Sequence, residues 1–107
     1  MKISGVVITY NEEKNIGKCI DSFRDLTDEI IVVDSFSTDR TEMICREKGA
    51  KFIQHKFEGH IEQKNFAISQ ASNDWILSLD ADEQLSPELI RSIREQKRSE
   101  EYTSELQ

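Results

Sequence analysis

Residues 3–9 (ISGVVIT) form a short run rich in β-branched side chains and predict a buried strand. The period then changes. Across residues 15–26, Ile16, Cys19, Ile20 and Phe23 recur at spacings of three and four, the stripe of a helix that packs one face on a sheet. Residues 29–34 (EIIVVD) are almost continuously apolar and end in a carboxylate, as expected of a central parallel strand covered on both sides. Ser37, Thr38 and Asp39 offer capping oxygens for a second helix, which Gly49 should stop. Residues 51–55 (KFIQH) predict a third strand. Residues 61–71 show a weaker helical spacing through Ile61, Lys64, Ala67, Ile68 and Ala71, and residues 75–79 (WILSL) predict a fourth strand. Ser86 as cap with Pro87 in the first turn begins a last helix expected to run to about Lys97.

This β-α-β-α-β-α-β-α order predicts an α/β fold with a mostly parallel sheet and helices on its faces. Ligands in such folds bind beyond the carboxyl ends of the strands. Three of those ends carry polar clusters: Thr9-Tyr10-Asn11-Glu12, Asp34-Ser35 and Asp80-Ala81-Asp82.

With 107 residues there is room for one core. The net charge of −7 gives nucleic acid no general attraction, so a nucleic-acid partner is not expected. No run approaches the roughly 20 apolar residues of a membrane span, and no secretory h-region follows Met1-Lys2, so a cytoplasmic location is expected. Cys19 and Cys45 each occupy an apolar helix position and lack a Cys or His at ligand spacing, which favours buried, reduced thiols.

Asp80-x-Asp82 places two carboxylates after a strand, where they can share a hard divalent cation, Mg²⁺ or Mn²⁺, whose remaining ligands are water and phosphate. Neither G-x-G-x-x-G nor G-x-x-x-x-G-K-[ST] occurs, so a dinucleotide dehydrogenase and a P-loop NTPase are disfavoured. Tyr10 offers a face on which a base can stack, and Asn11, Glu12 and Asp34 offer acceptors for base N–H groups and ribose hydroxyls. Plainer roles stay open for each. Tyr10 can bridge strand and helix, Asp34 can cap the turn at Ser37, Asp80 can cap its own turn, and Asp82 and Lys64 can be solvated surface residues.

Thr9-Tyr10-Asn11-Glu12-Glu13, then Ile31 to Asp39 (IVVDSFSTD), then Leu79-Asp80-Ala81-Asp82-Glu83 together resemble the N-terminal half of family 2 glycosyltransferases. The resemblance implies a Rossmann-like GT-A nucleotide-diphospho-sugar-binding half, truncated, spanning residues 1–97. It implies that Thr9, Tyr10, Glu12 and Asp34 hold base and ribose. It also implies that Asp82 ligates the metal, that Asp80 contacts ribose or metal, and that Lys64-Asn65 lie near the donor pocket. Many members carry Asp-Asp-Gly-Ser where this chain has Asp34-Ser35-Phe36-Ser37, which leaves Ser35 with a weaker hydroxyl contact to the base. The combination of motifs looks most like bacterial enzymes of lipopolysaccharide core biosynthesis.

The implied reaction moves a sugar from a nucleotide-diphosphate donor, UDP-sugar being favoured, to a glycan or lipid-linked acceptor. For the full-length protein, peripheral association with the inner membrane's cytoplasmic face is implied. In that family the general base lies well downstream of the D-x-D, so this chain alone is expected to be incomplete. Residues 98–107 (RSEEYTSELQ) have no apolar stripe and resemble a translated sequencing-library adapter, differing at Tyr102; they are expected to be a non-native tail, with a natural polar terminus as the alternative. A non-catalytic nucleotide-binding module is the rival reading. A haloacid-dehalogenase-type phosphatase is weaker, because Gln84 stands where that family has Thr or Val and the D-x-D lies far from the N-terminus.

Overall fold

A computed structural model describes the backbone of residues 1–106 and the side chains of residues 1–100. Four strands, β1 (Ile3–Thr9), β2 (Glu29–Asp34), β3 (Lys51–Gln54) and β4 (Trp75–Asp80), alternate with four helices, α1 (Ile16–Phe23), α2 (Thr41–Glu47), α3 (His60–Ser69) and α4 (Pro87–Leu106). The sheet is wholly parallel, in the order β3-β2-β1-β4. All seven residues of β1 are buried, because helices cover both faces of the sheet at its centre.

Two apolar layers result. On one face, Ile16, Cys19, Ile20 and Phe23 of α1 join Val7, Val32, Leu79 and Cys45. On the other, Ala67 of α3 packs with Val6, Ile8, Ile31 and Val33. Each fully buried Ile or Phe contributes about 1.5–3 kcal/mol relative to an exposed one. Gly5 is needed for a close approach: a Cβ there would lie 2.6 Å from Phe23 Cε1 and 3.1 Å from Thr27 Cγ2.

Differences from the expected elements have local causes. The stretch predicted as one helix over 15–26 is α1 followed by a single 3-10 turn, Arg24–Leu26, which turns Leu26 into the core. α2 takes no cap from Ser37 or Thr38; instead Asp39 Oδ1 accepts the Thr41 amide at 2.9 Å and its hydroxyl at 2.6 Å. Gly49 ends that helix in the left-handed region, φ 81°. Ser86 caps α4 as expected, its Oγ accepting the Leu89 amide at 3.1 Å. α4 itself runs beyond Lys97 to Leu106; the side chains of 101–107, part of the expected tail, lie outside the described residues.

Candidate active site

The chain passes from β1 outward through β2 to β3, then returns to place β4 on the opposite side of β1. Such a reversal opens a crevice at the carboxyl ends of the two strands that flank it. A cavity of about 260 Å³ lies there, lined by residues that include Thr9, Tyr10, Glu12, Ser35, Asp80 and Asp82. Register explains the grouping. Thr9 is paired with Asp34 and Ile8 with Asp80, so three strands end at one level.

The loops after β1 and β2 are bound to each other. The Asn11 amide donates to Ser37 Oγ (2.7 Å), Asn11 Oδ1 accepts the Thr38 amide (2.8 Å), and the Glu12 amide donates to Thr41 Oγ1 (3.0 Å). The Glu13 amide donates to Asp39 Oδ2 at 3.2 Å. Desolvation pushes the Asp39 carboxyl up, but bonds from the Thr41 hydroxyl and amide and from the Glu13 amide outweigh it, leaving the group below its ordinary value. Asn11 and Phe36 are held at φ 49° and 61°, a region non-glycine residues seldom adopt. The Phe36 amide is anchored by Gln54 Oε1 at 2.8 Å.

Six of the nine sequence-derived site residues therefore line one cavity. Three do not. Asp34 is fully buried with its carboxylate turned to the loop, Oδ2 accepting the Ser37 amide at 2.8 Å and Oδ1 the Ser37 hydroxyl at 2.5 Å. Asn11 is spent on the loop bonds just described. Lys64 is not a lining residue, but its Nζ lies 3.4 Å from Asp80 Oδ1.

Two buried oxygens in the wall, Thr9 Oγ1 and Asp80 Oδ1, have no hydrogen-bond partner among the described residues. The Lys64 ammonium is close enough to attract Asp80 by charge, yet forms no aligned hydrogen bond with it. Buried polar atoms are usually completed by a protein group, an ordered water or an ion. Asp82 is exposed in the turn, and the Asp80 amide is held by Glu83 Oε1 at 2.7 Å.

Cys19 lies beneath this turn, its Sγ 3.6 Å from the Asp80 carbonyl. Burial, and then the carboxylates of Glu83, Asp82 and Asp80, push its thiol up to about 12. Cys45 is likewise raised to about 12, first by burial and then by Asp34. Both thiols are free and buried, as expected from their helix positions.

Phe57, His60 and Gln63 also line the cavity and were not singled out as site residues from the sequence. The signal was available. The rule applied to the other strand ends also holds for β3, whose connection into α3 brings Phe57 and His60 to the same crevice.

No lining residue is Lys or Arg, whereas Glu12, Asp80 and Asp82 are all carboxylates. An intervening cation would offset the repulsion between these carboxylates and an anionic ligand. Among the described residues no group of three or more His, Cys, Asp or Glu side chains is gathered as a cation site. A carboxylate pair, one oxygen of it buried without a hydrogen bond, suits a Mg²⁺- or Mn²⁺-type ion that takes its other ligands from water and phosphate.

The architecture is the α/β, Rossmann-like GT-A fold, with a parallel sheet flanked by helices. Residues 4–105 match the model of Glycosyl transferase family 2, and the chain belongs to that family. It is 51% identical over 92 residues to an uncharacterized glycosyltransferase of Rickettsia typhi, covering 86% of this chain and 32% of that protein. Over 100 residues it is 37% identical to the lipopolysaccharide core biosynthesis glycosyltransferase LpsC of Rhizobium meliloti, covering 89% of this chain and 37% of the relative.

Among solved structures, glucosyl-3-phosphoglycerate synthase of Mycobacterium tuberculosis in complex with UDP superimposes with a TM-score of 0.69 at 32% identity, over 77% of this chain and 34% of that one. The same enzyme with Mn²⁺, UDP and glucosyl-3-phosphoglycerate gives 0.68 at 30% identity, over 78% and 35%. The chain thus spans about a third of the length of these relatives. No helix among the described residues is long and apolar enough to cross a membrane.

Proposed function

We propose that this chain is the donor-nucleotide-binding part of a metal-dependent glycosyltransferase that takes a sugar from a nucleoside diphosphate, UDP-sugar being favoured. The observation that carries this reading is the acidic cavity with two buried oxygens, Thr9 Oγ1 and Asp80 Oδ1, that accept no hydrogen bond from the described residues. The UDP and Mn²⁺ in the solved relative support it.

In this reading Tyr10 stacks on the base, while Thr9, Glu12 and Ser35 meet base and ribose. Asp82 and Asp80 would hold Mg²⁺ or Mn²⁺, and a cation there would supply charge stabilisation for a departing nucleoside diphosphate. Lys64 adds a positive charge beside Asp80. Asn11 and Asp34 act by shaping the two loops. For the whole protein we propose transfer to a glycan or lipid-linked acceptor, in lipopolysaccharide core assembly, at the cytoplasmic face of the inner membrane. The likeness to LpsC supports that acceptor class. We assign donor binding to residues 1–97 and regard residues 98–107 as a non-native tail, on the loss of the apolar stripe after Lys97; the family match extends past that boundary, to residue 105.

Calorimetric titration of the chain with UDP in Mn²⁺ tests the donor site. UDP should bind, and either EDTA or Asp82→Ala should weaken binding at least about tenfold while the thermal midpoint stays within about a degree. Equal affinity in EDTA would remove the metal from the mechanism.

A further inference from the structure

The backbone of the turn after β4 is tied down on several sides, while two of its carboxylates are left open. The Ala81 amide donates to the Ile8 carbonyl at 3.2 Å and the Leu85 amide to Ser22 Oγ at 3.1 Å, which fixes the entry of the turn to β1 and its exit to α1. Glu83 closes the middle. Its amide donates to the Asp80 carbonyl at 2.9 Å, and its Oε1 accepts the Asp80 amide at 2.7 Å.

Backbone amides alternate in direction along a strand, so with Ala81 turned to β1 the Asp80 amide faces the outer side of β4, where among the described residues no strand pairs. The Glu83 carboxylate takes the acceptor place that a neighbouring strand would fill. Both main-chain groups of Asp80 are thereby used within the turn. Its side chain is not: Oδ1 is buried without a hydrogen-bond partner among the described residues, and Asp82 is exposed. Of the three carboxylates that follow the strand, Glu83 is the one committed to the backbone.

We propose that Glu83 is a positioning residue of the cation site, its carboxylate fixing the separation of Asp80 and Asp82 through the Asp80 amide without being a ligand itself. The assignment rests on the reading of Asp80 and Asp82 as the holders of Mg²⁺ or Mn²⁺ beside a nucleoside diphosphate. An ion with only two protein carboxylates depends on their being held in place, and the bond to the Asp80 amide holds the turn from which both project.

Titration of Mn²⁺ with the 107-residue chain in the presence of UDP, the free ion being followed by its electron paramagnetic resonance signal, tests this. Glu83→Ala should weaken Mn²⁺ binding about ten- to hundredfold, the scale of losing a group that orients a metal ligand. Glu83→Gln keeps an oxygen that can accept the Asp80 amide, and should stay within about fivefold of the unaltered chain. Both variants remove the same charge, so the difference between them isolates the hydrogen bond. Amide exchange followed by nuclear magnetic resonance supplies a second readout: the Asp80 amide should exchange at least about tenfold faster in Glu83→Ala and remain protected in Glu83→Gln.

Unchanged Mn²⁺ affinity in Glu83→Ala, or an equal loss in Glu83→Gln, would overturn the assignment, the second because a ligand or a bare charge behaves that way. Should Glu83→Ala not fold, a Gln variant weakened beyond about tenfold, or an Asp80 amide that exchanges at the unprotected rate in the unaltered chain, would overturn it equally. Failure of the unaltered chain to bind Mn²⁺ with UDP would overturn the cation reading and this assignment together, whereas Mn²⁺ binding indifferent to Glu83 would overturn this assignment alone.

Discussion

Asp34 shows how one side chain can matter to a ligand it does not touch. From its place at the end of β2 it invites a role in binding ribose, and the capping role at Ser37 was the plainer possibility. The structure turns both carboxylate oxygens to Ser37, because a fully buried carboxylate without such donors would be strongly unfavourable. The turn that it closes carries Ser35 into the cavity wall. Asp34→Ala would leave the Ser37 amide without its acceptor, and should lower stability by about 2–3 kcal/mol in urea unfolding. A loss below about 0.5 kcal/mol would show that water replaces the carboxylate without penalty. No spacing rule distinguishes Asp34 from Asp80 in the sequence. Each ends an apolar strand, and only the surrounding donors decide which carboxylate is consumed.

At the scale of elements, the parallel strands and their helices follow closely from periodicity. β1 and β2 coincide with their expected ranges because β-branched runs flanked by polar turns admit little else. Gly5 tests the packing between β1 and α1. Gly5→Ala drives a methyl group into the buried Phe23 ring and should cost about 1–3 kcal/mol, read as a lowered urea midpoint with unchanged slope. A neutral effect would mean that Phe23 and Thr27 can move apart.

The opposite ends of the strands are tied by acids. Glu29 lies below its ordinary 4.5 because the Ser4 hydroxyl, then the Ser72 amide, bond its charged form. Asp28 lies below 3.8, chiefly through the Ile3 amide and, after opposing desolvation, Lys97. Both folded values are depressed, so the unfolded chain binds protons first as pH falls. Their stabilisation is complete above about pH 4.5 and disappears as pH drops through the lowered values. Thermal midpoints should fall between pH 5 and 3 for the unaltered chain and fall less in Glu29→Gln; parallel curves would contradict this.

For the molecule as a whole, the sheet has two edges, β3 and β4, and β4 exposes large apolar side chains. Trp75 and Ile76 are 50% and 38% accessible, and among the described residues no strand pairs with the outer side of β4. An apolar edge with unpaired backbone groups favours association. Light scattering should show association that grows with concentration, and Ile76→Lys should reduce it; a monodisperse unaltered chain at millimolar concentration would refute the idea. Much of the protein was legible in sequence. Strand and helix periods depend on neighbours three or four residues away, and the three motifs mark strand ends whichever order the strands take. Which polar groups share one wall was not legible, nor were the bonds of Gln63 to Ser35 and His55, because those depend on the return of β4 beside β1 and on buried donors brought from distant segments. A chain's local periods are written residue by residue, but the partner of a buried polar atom is chosen only when the sheet is assembled.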